Sequence, residues 1–217
     1  MADRLLELYP ECAALAAELT AHPEVARRWT NESACAGMTV GGLATHLASQ
    51  TRSVVRLLSQ PPHEGEPISA LEHYRRAAWV HTGLDEEVNV GIREGSDAEA
   101  QAGPETLAAE VAASLDALPR ALSPVLSGTR EPDAVLIPWQ GWALTAHDFV
   151  LTRTMEVIVH ADDLAVSIDV DPPIFPLESA QAVAALLAGV AVERHGQTPL
   201  IRALSRPQRA EGDVSAF

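Results

Sequence analysis

One carboxylate and two imidazoles are the side chains of this sequence whose types and spacing could do chemistry together. Glu156 and His160 lie four apart in a strongly apolar stretch, and His46 lies on the apolar side of an earlier one. Four residues make about one helical turn, so Glu156 and His160 share a face if their stretch is helical. Two imidazoles and a carboxylate brought together inside a helical protein would make a three-ligand site for a transition metal, with one position open for chemistry. Such a site points to an enzyme rather than a scaffold.

The faces of the two stretches test that idea. At about 100° per residue, Arg153, Glu156, His160 and Asp163 share a sector roughly 80° wide. Phe149, Leu151, Met155, Val157, Ile158, Val159 and Leu164 occupy much of the rest. The plain alternative is the thin solvated face of an amphipathic helix. Glu18 and His22 have the same separation at a helix end before Pro23, where a surface pair is expected, so spacing alone is weak. On the earlier stretch, with His46 at zero, Leu57 falls near 20°, Gln50 near 40°, Leu43 near 60°, Val54 near 80° and Leu47 near 100°. His46 and Gln50 therefore sit on a buried face, where an unpaired polar group costs about 1 to 3 kcal/mol. A metal or a hydrogen-bond network would supply the partners; a core histidine bonded to a backbone carbonyl is the alternative.

Elements must position these residues. Leu5, Leu8, Leu15 and Leu19 predict a first helix over about residues 3–28, interrupted near His22-Pro23. Thr39 can cap a second helix that runs to about Ser59 before Pro61-Pro62. Leu71, Tyr74, Ala78 and Leu84 suggest a helix within 69–94, and GSDAEAQAG (95–103) reads as a surface loop. Pro104 suits the first turn of a third long helix with a stripe of Leu107, Val111, Leu115, Leu118 and Leu122, which Pro119 could bend. Residues 128–141 are turn-rich with a short extended segment at 134–137. Thr145-Ala-His-Asp148 resembles a capping box for a fourth helix to about Ile168, ended by Asp171-Pro172-Pro173. An alanine-rich fifth helix spans about 177–195, and the polar tail after Pro207 should fray.

Composition bounds the function. The 217 residues are 47% hydrophobic, enough for one substantial core, and alternating strand patterns are lacking, so helices packed on helices are expected. A net charge of -15 would repel phosphate backbones and anionic lipid, which argues against nucleic-acid and membrane-surface partners. Cys12 and Cys35 are too few for a disulfide framework and fit a reducing cytoplasm. The start MADRLLELYPEC has no apolar signal core, and the longest apolar run, 182–192, falls short of the ~20 residues of a membrane span.

The stretches Met38-Thr-Val-Gly-Gly-Leu-Ala-Thr-His46-Leu-Ala and Arg153-Thr-Met-Glu156-Val-Ile-Val-His160-Ala-Asp-Asp163-Leu resemble the two metal-ligand motifs of the DinB-like superfamily. Within it they resemble the mycothiol-dependent maleylpyruvate isomerase group, over roughly residues 3–170, with Arg194-His-Gly196 and Ala203-Leu204 similar to the segment that follows. The resemblance implies an all-α fold, a DinB-like four-helix bundle with an additional C-terminal helix. Residues 1–206 would form a single metal-binding domain and 207–217 a flexible tail. It implies His46, Glu156 and His160 as metal ligands, and it is more specific for fold and ligands than for reaction. The namesake isomerase carries a second domain that helps complete its active site, for which this chain is too short.

Such donors suit Zn²⁺ first, then Ni²⁺, Fe²⁺ or Mn²⁺. A thiol at the open position would lose its proton well below the ~8.5 of a free thiol. The leading expectation is a low-molecular-weight thiol, mycothiol or another, attacking a small electrophile by S-transfer or thiol-assisted isomerisation. Asp163 could orient a ligand, Gln50 could hydrogen-bond a ligand or substrate, and Arg153 could pair with Glu156 or hold a substrate carboxylate. Each could equally be structural. His147, Asp148 and Cys35 are minor candidates, read first as exposed, capping and inert, and Trp139 and Trp142 could wall a pocket or pack in the core. Rival readings are a hydrolase with metal-activated water, and a non-catalytic binding module acting as a homodimer through apolar helix faces.

Overall fold

The computed structural model describes residues 2–83 and 85–217, so the expectation placed on Leu84 lies outside the described residues. In chain order come α1 (Ala2–Thr20), α2 (Pro23–Arg27), α3 (Val40–Leu58), α4 (Ala70–Arg76), α5 (Ala78–His81), α6 (Glu87–Ala100) and α7 (Pro104–Leu126). A hairpin of β1 (Ala134–Ile137) and β2 (Trp142–Thr145) leads into α8 (Ala146–Ile168), α9 (Leu177–His195) and α10 (Gln197–Ser205). Among the described residues the fold is all-α with this one small sheet, consistent with a DinB-like bundle. Helices α1 and α3 each pack against both α7 and α8, and α9 lies across α1, α4 and α8.

Local chemistry sets the helix ends. Thr39 Oγ1 accepts from Gly42 N at 2.9 Å to start α3, and Thr145 Oγ1 accepts from Asp148 N at 3.0 Å to start α8. Pro104 opens α7, where its missing N–H leaves no intrahelical bond unmade. The expected interruption at His22-Pro23 divides α1 from α2, and His22 Nδ1 accepts from Glu24 N at 3.2 Å as the cap of α2. The Glu18–His22 spacing therefore ends in a cap and an exposed carboxylate rather than a site. Asp169, in the left-handed conformation (φ 61°), ends α8 two residues before the anticipated Asp171-Pro172-Pro173 stop.

Three segments depart from the sequence reading. The helix anticipated within 69–94 is divided among α4, α5 and the start of α6. Residues 95–100 of the expected surface loop are helical, because tertiary contacts overrule their polar composition: α6 packs on α3, and Asp97 Oδ1 accepts from Thr39 N and Oγ1 at 3.1 and 2.6 Å. The extended segment 134–137 gains an unanticipated antiparallel partner, pairing Ala134 with Thr145 and Ile137 with Trp142.

The bundle core divides along its length. Tyr9, Val54, Leu122, Leu144 and Phe149 fill one end, and Leu19, Leu43, Leu47, Leu164 and Ile168 the other. Burying each such aliphatic side chain contributes about 1.5 to 3 kcal/mol. A third cluster, with Tyr74, Met155, Val183, Leu186 and Val190, seats α9 and α4 on α8. Past α10 the chain returns, with Ser215 O accepting from His195 Nε2 at 2.8 Å and the Phe217 ring 5.5 Å from that of Tyr74. Among the described residues no helix is long and apolar enough to cross a membrane.

Candidate metal centre

Helices α3 and α8 run antiparallel, so residues that ascend on one meet residues that descend on the other: His46 faces His160 while Gln50 faces Arg153. The His46 and His160 rings stand edge to face with centroids 4.8 Å apart. Glu156 Oε2 is 3.1 Å from His160 Nε2 and 3.8 Å from His46 Nε2. One donor atom from each of the three lies within 4.8 Å of the others. Ligands about 2.0 to 2.2 Å from a tetrahedral ion stand about 3.4 Å from one another, so the cluster has the dimensions and the donor chemistry to hold a borderline dication such as Zn²⁺.

The surrounding groups orient these donors. Ser96 Oγ donates to Ile92 O at 2.9 Å and lies 3.3 Å from His46 Nδ1. With its own proton committed, the hydroxyl accepts from Nδ1–H and fixes the ring with Nε2 on the Glu156 side. Asp163 Oδ2 is 3.0 Å from His160 Nδ1 and holds that ring in the same sense, with Nε2 toward Glu156. Gln50 is only 2% exposed; its Nε2 donates to His46 O at 3.0 Å and its Oε1 accepts from Arg153 Nη1 at 2.7 Å. Arg153 Nη2 stands 3.9 Å from Glu156 Oε1. Every predicted site residue is thus in one connected network, and its ionisable members retain partial access to solvent.

Charge follows from that packing. Burial opposes ionisation of Glu156, but the adjacent His160 and His46 rings and the Arg153 guanidinium outweigh it and hold the carboxyl well below the usual range. Burial likewise opposes protonation of His160, yet Asp163, Cys35 and Glu156 raise it well above an ordinary imidazole. Burial would raise Asp163, and the hydrogen bond and charge of His160 lower it instead. The metal-free centre is therefore an imidazolium flanked by two carboxylates.

Sequence reasoning missed three neighbours. Ser96 fell in the stretch read as a loop. Cys35, read as inert, has Sγ 3.3 Å from Asp163 Oδ2. His73, 3% exposed on α4, accepts from Trp142 Nε1 at Nδ1 (3.0 Å), and burial together with the charge of Arg153 pushes its pKa down to about 4. Nothing local in the sequence marks any of them, because Ser96 and Cys35 reach the network from other elements and His73 feels the charges of Arg153 and Glu156 from α4. Of the minor candidates, Asp148 accepts from Ala70 N at 3.0 Å and ties α4 to α8. Trp142 lies against His73, whereas Trp139 is 52% exposed with Arg56 over its ring, which places it outside the core.

No curated protein and no solved structure matches this chain. Residues 8–165, from within α1 almost to the end of α8 and including every member of the network, match the family profile described as the mycothiol maleylpyruvate isomerase N-terminal domain. The chain belongs to the mycothiol maleylpyruvate isomerase N-terminal domain family.

Proposed function

We propose that this protein is a metal-dependent enzyme that activates a low-molecular-weight thiol, mycothiol by family relationship, for S-transfer to an electrophilic small molecule or for its thiol-assisted isomerisation. The convergence of the partly buried His46, Glu156 and His160 donors carries this reading. A divalent ion held by these three, with Zn²⁺ first by donor type, would supply a Lewis acid that lets a thiol ionise at neutral pH. Ser96 and Asp163 fix the two rings by their outer nitrogens. Gln50 holds the Arg153 guanidinium at its Oε1, which leaves other N–H groups of that planar fork to receive a carboxylate of the electrophile. In the addition step the thiolate sulfur bonds to the electrophilic carbon as an alkene π bond or an epoxide C–O bond breaks and its electron pair moves to the conjugated carbonyl oxygen or the epoxide oxygen. In transfer a proton from solvent completes the product and the C–S bond persists. In isomerisation rotation about the resulting C–C single bond precedes C–S cleavage, which restores the double bond and releases the thiolate.

The test is turnover by metal-loaded protein on a panel of epoxides, activated alkenes and esters, with and without added thiol. Conjugate or isomer formation that requires the thiol supports the proposal, and turnover indifferent to it rejects the thiol role. His46→Ala and His160→Ala should each abolish the equivalent held by the three-donor cluster; retention of that equivalent by both would overturn the ligand set.

A further inference from the structure

His160 presents its two ring nitrogens to two different donor sets. Nε2 faces Glu156 and His46, whereas Nδ1 faces Asp163 Oδ2 at 3.0 Å, beside Cys35 Sγ. Cys35, His160 and Asp163 offer donor atoms that lie within 4.8 Å of one another, and all three residues are partly buried rather than fully exposed. We propose that Cys35 Sγ, Asp163 Oδ2 and His160 Nδ1 form a second cation site, with the His160 ring as a bridge between it and the first. The two sites are linked only through that shared ring, so the second can be tested separately from the proposed thiol chemistry.

The position of Cys35 is built rather than incidental. Its loop, between α2 and α3, is closed on itself by Ser33 Oγ, which donates to Met38 O at 2.8 Å and accepts from Cys35 N at 3.2 Å. It is fastened to α8 by Ala34 N, which donates to Ser167 Oγ at 2.8 Å, and Ser167 Oγ in turn donates to Asp163 O at 2.6 Å. Arg28 Nη1 adds a bond to Ser167 O at 3.3 Å. The loop therefore brings the thiol to the helical turn that bears Asp163.

Donor type selects the occupant. Thiolate with imidazole and carboxylate suits a soft or borderline dication such as Zn²⁺, Co²⁺ or Cd²⁺. In the metal-free protein the Cys35 S–H and the His160 Nδ1–H both point at Asp163 Oδ2, and these are the two protons that the second ion would displace to solvent. With both sites filled, two carboxylates, one thiolate and one imidazolate balance the charge of two dications.

Titration of the full chain with Co²⁺ tests this. Wild type should bind two equivalents and develop thiolate-to-cobalt charge-transfer absorption in the near ultraviolet. Cys35→Ser should bind one equivalent without that absorption, and His46→Ala should lose the other equivalent while keeping it. Saturation of wild type at a single equivalent, or thiolate absorption that survives in Cys35→Ser, overturns the second site. Should Cys35→Ser fail to fold, maleimide labelling of wild type gives an independent answer. Cys12 is fully buried, so the label reports Cys35. Saturating Cd²⁺ should slow labelling at least tenfold, and an unchanged rate rejects the proposal.

Discussion

Each imidazole of the three-donor cluster is oriented through its outer nitrogen, His46 by the Ser96 hydroxyl and His160 by the Asp163 carboxylate. Loss of such an outer partner typically weakens metal binding by about 10- to 100-fold without removing a ligand. Ser96→Ala should accordingly keep its metal stoichiometry but release Zn²⁺ to a chelator at a lower concentration than wild type; an unchanged dissociation constant would remove Ser96 from the centre. The raised pKa of His160 makes binding proton-linked. At neutral pH the metal-free ring is protonated, so coordination at Nε2 expels a proton and affinity strengthens as pH rises. The slope should be about tenfold per pH unit until the pKa of the free ring is passed. Calorimetry in buffers of different ionisation enthalpy would show the released proton, and its absence would contradict the imidazolium described above.

Helix α3 carries His46 and Gln50 to the centre, and its first turn also recruits α6. Thr39 caps α3 and bonds Asp97, while Gly42 has no side chain to stand between the turn and that same carboxylate. Thr39→Ala should cost about 1 to 2 kcal/mol in urea unfolding, since a cap and a bridge between elements are lost together. Gly42→Ala would drive its Cβ into Asp97 Oδ1, displace α6, and draw Ser96 away from His46. Lower stability and weaker metal binding should therefore appear together. Gly95 provides the contrast within α6: a Cβ there meets nothing within 4 Å, so Gly95→Ala should stabilise by about 0.5 to 1 kcal/mol. A destabilised Gly95→Ala variant would show that this stretch of α6 is not helical in solution.

For the molecule as a whole, His73 couples stability to pH. Its folded pKa of about 4 lies below the ordinary 6.5, so the unfolded chain binds more protons between those values. Stability contributed by the neutral ring is complete above about pH 6.5 and is lost as pH falls toward 4, by about 3 kcal/mol at most. His73→Asn can still accept from Trp142 but cannot take up the proton. It should flatten the acid limb of a denaturation-versus-pH curve, and an unaltered limb would assign the acid sensitivity elsewhere. His73 also joins the hairpin end to α4, while Arg130 Nη1 donates to Leu58 O and Gln60 O at 3.0 and 2.9 Å and ties the turn before the hairpin to the end of α3.

Elements whose stability is local were legible in the sequence. Thr39 and Thr145 as caps, Pro104 as a first-turn proline and the apolar stripe of α7 all act within a turn or two of themselves. The two motif stretches likewise carried His46, Gln50, Arg153, Glu156, His160 and Asp163, since helical periodicity alone puts each set on one face. Tertiary packing decided what periodicity does not encode. The antiparallel approach of α3 and α8 brings the two faces together, and contact with α3 makes a helix of a polar segment read as a loop. Ser96 and Cys35 reach the centre from α6 and a loop, and His73 on α4 feels the charges of Arg153 and Glu156. The long-range partners that give them these places, His46, Asp163 and Trp142, stand tens of residues away along the chain, and such pairings follow from how helices pack, a property of the whole bundle that no local pattern of residue types records.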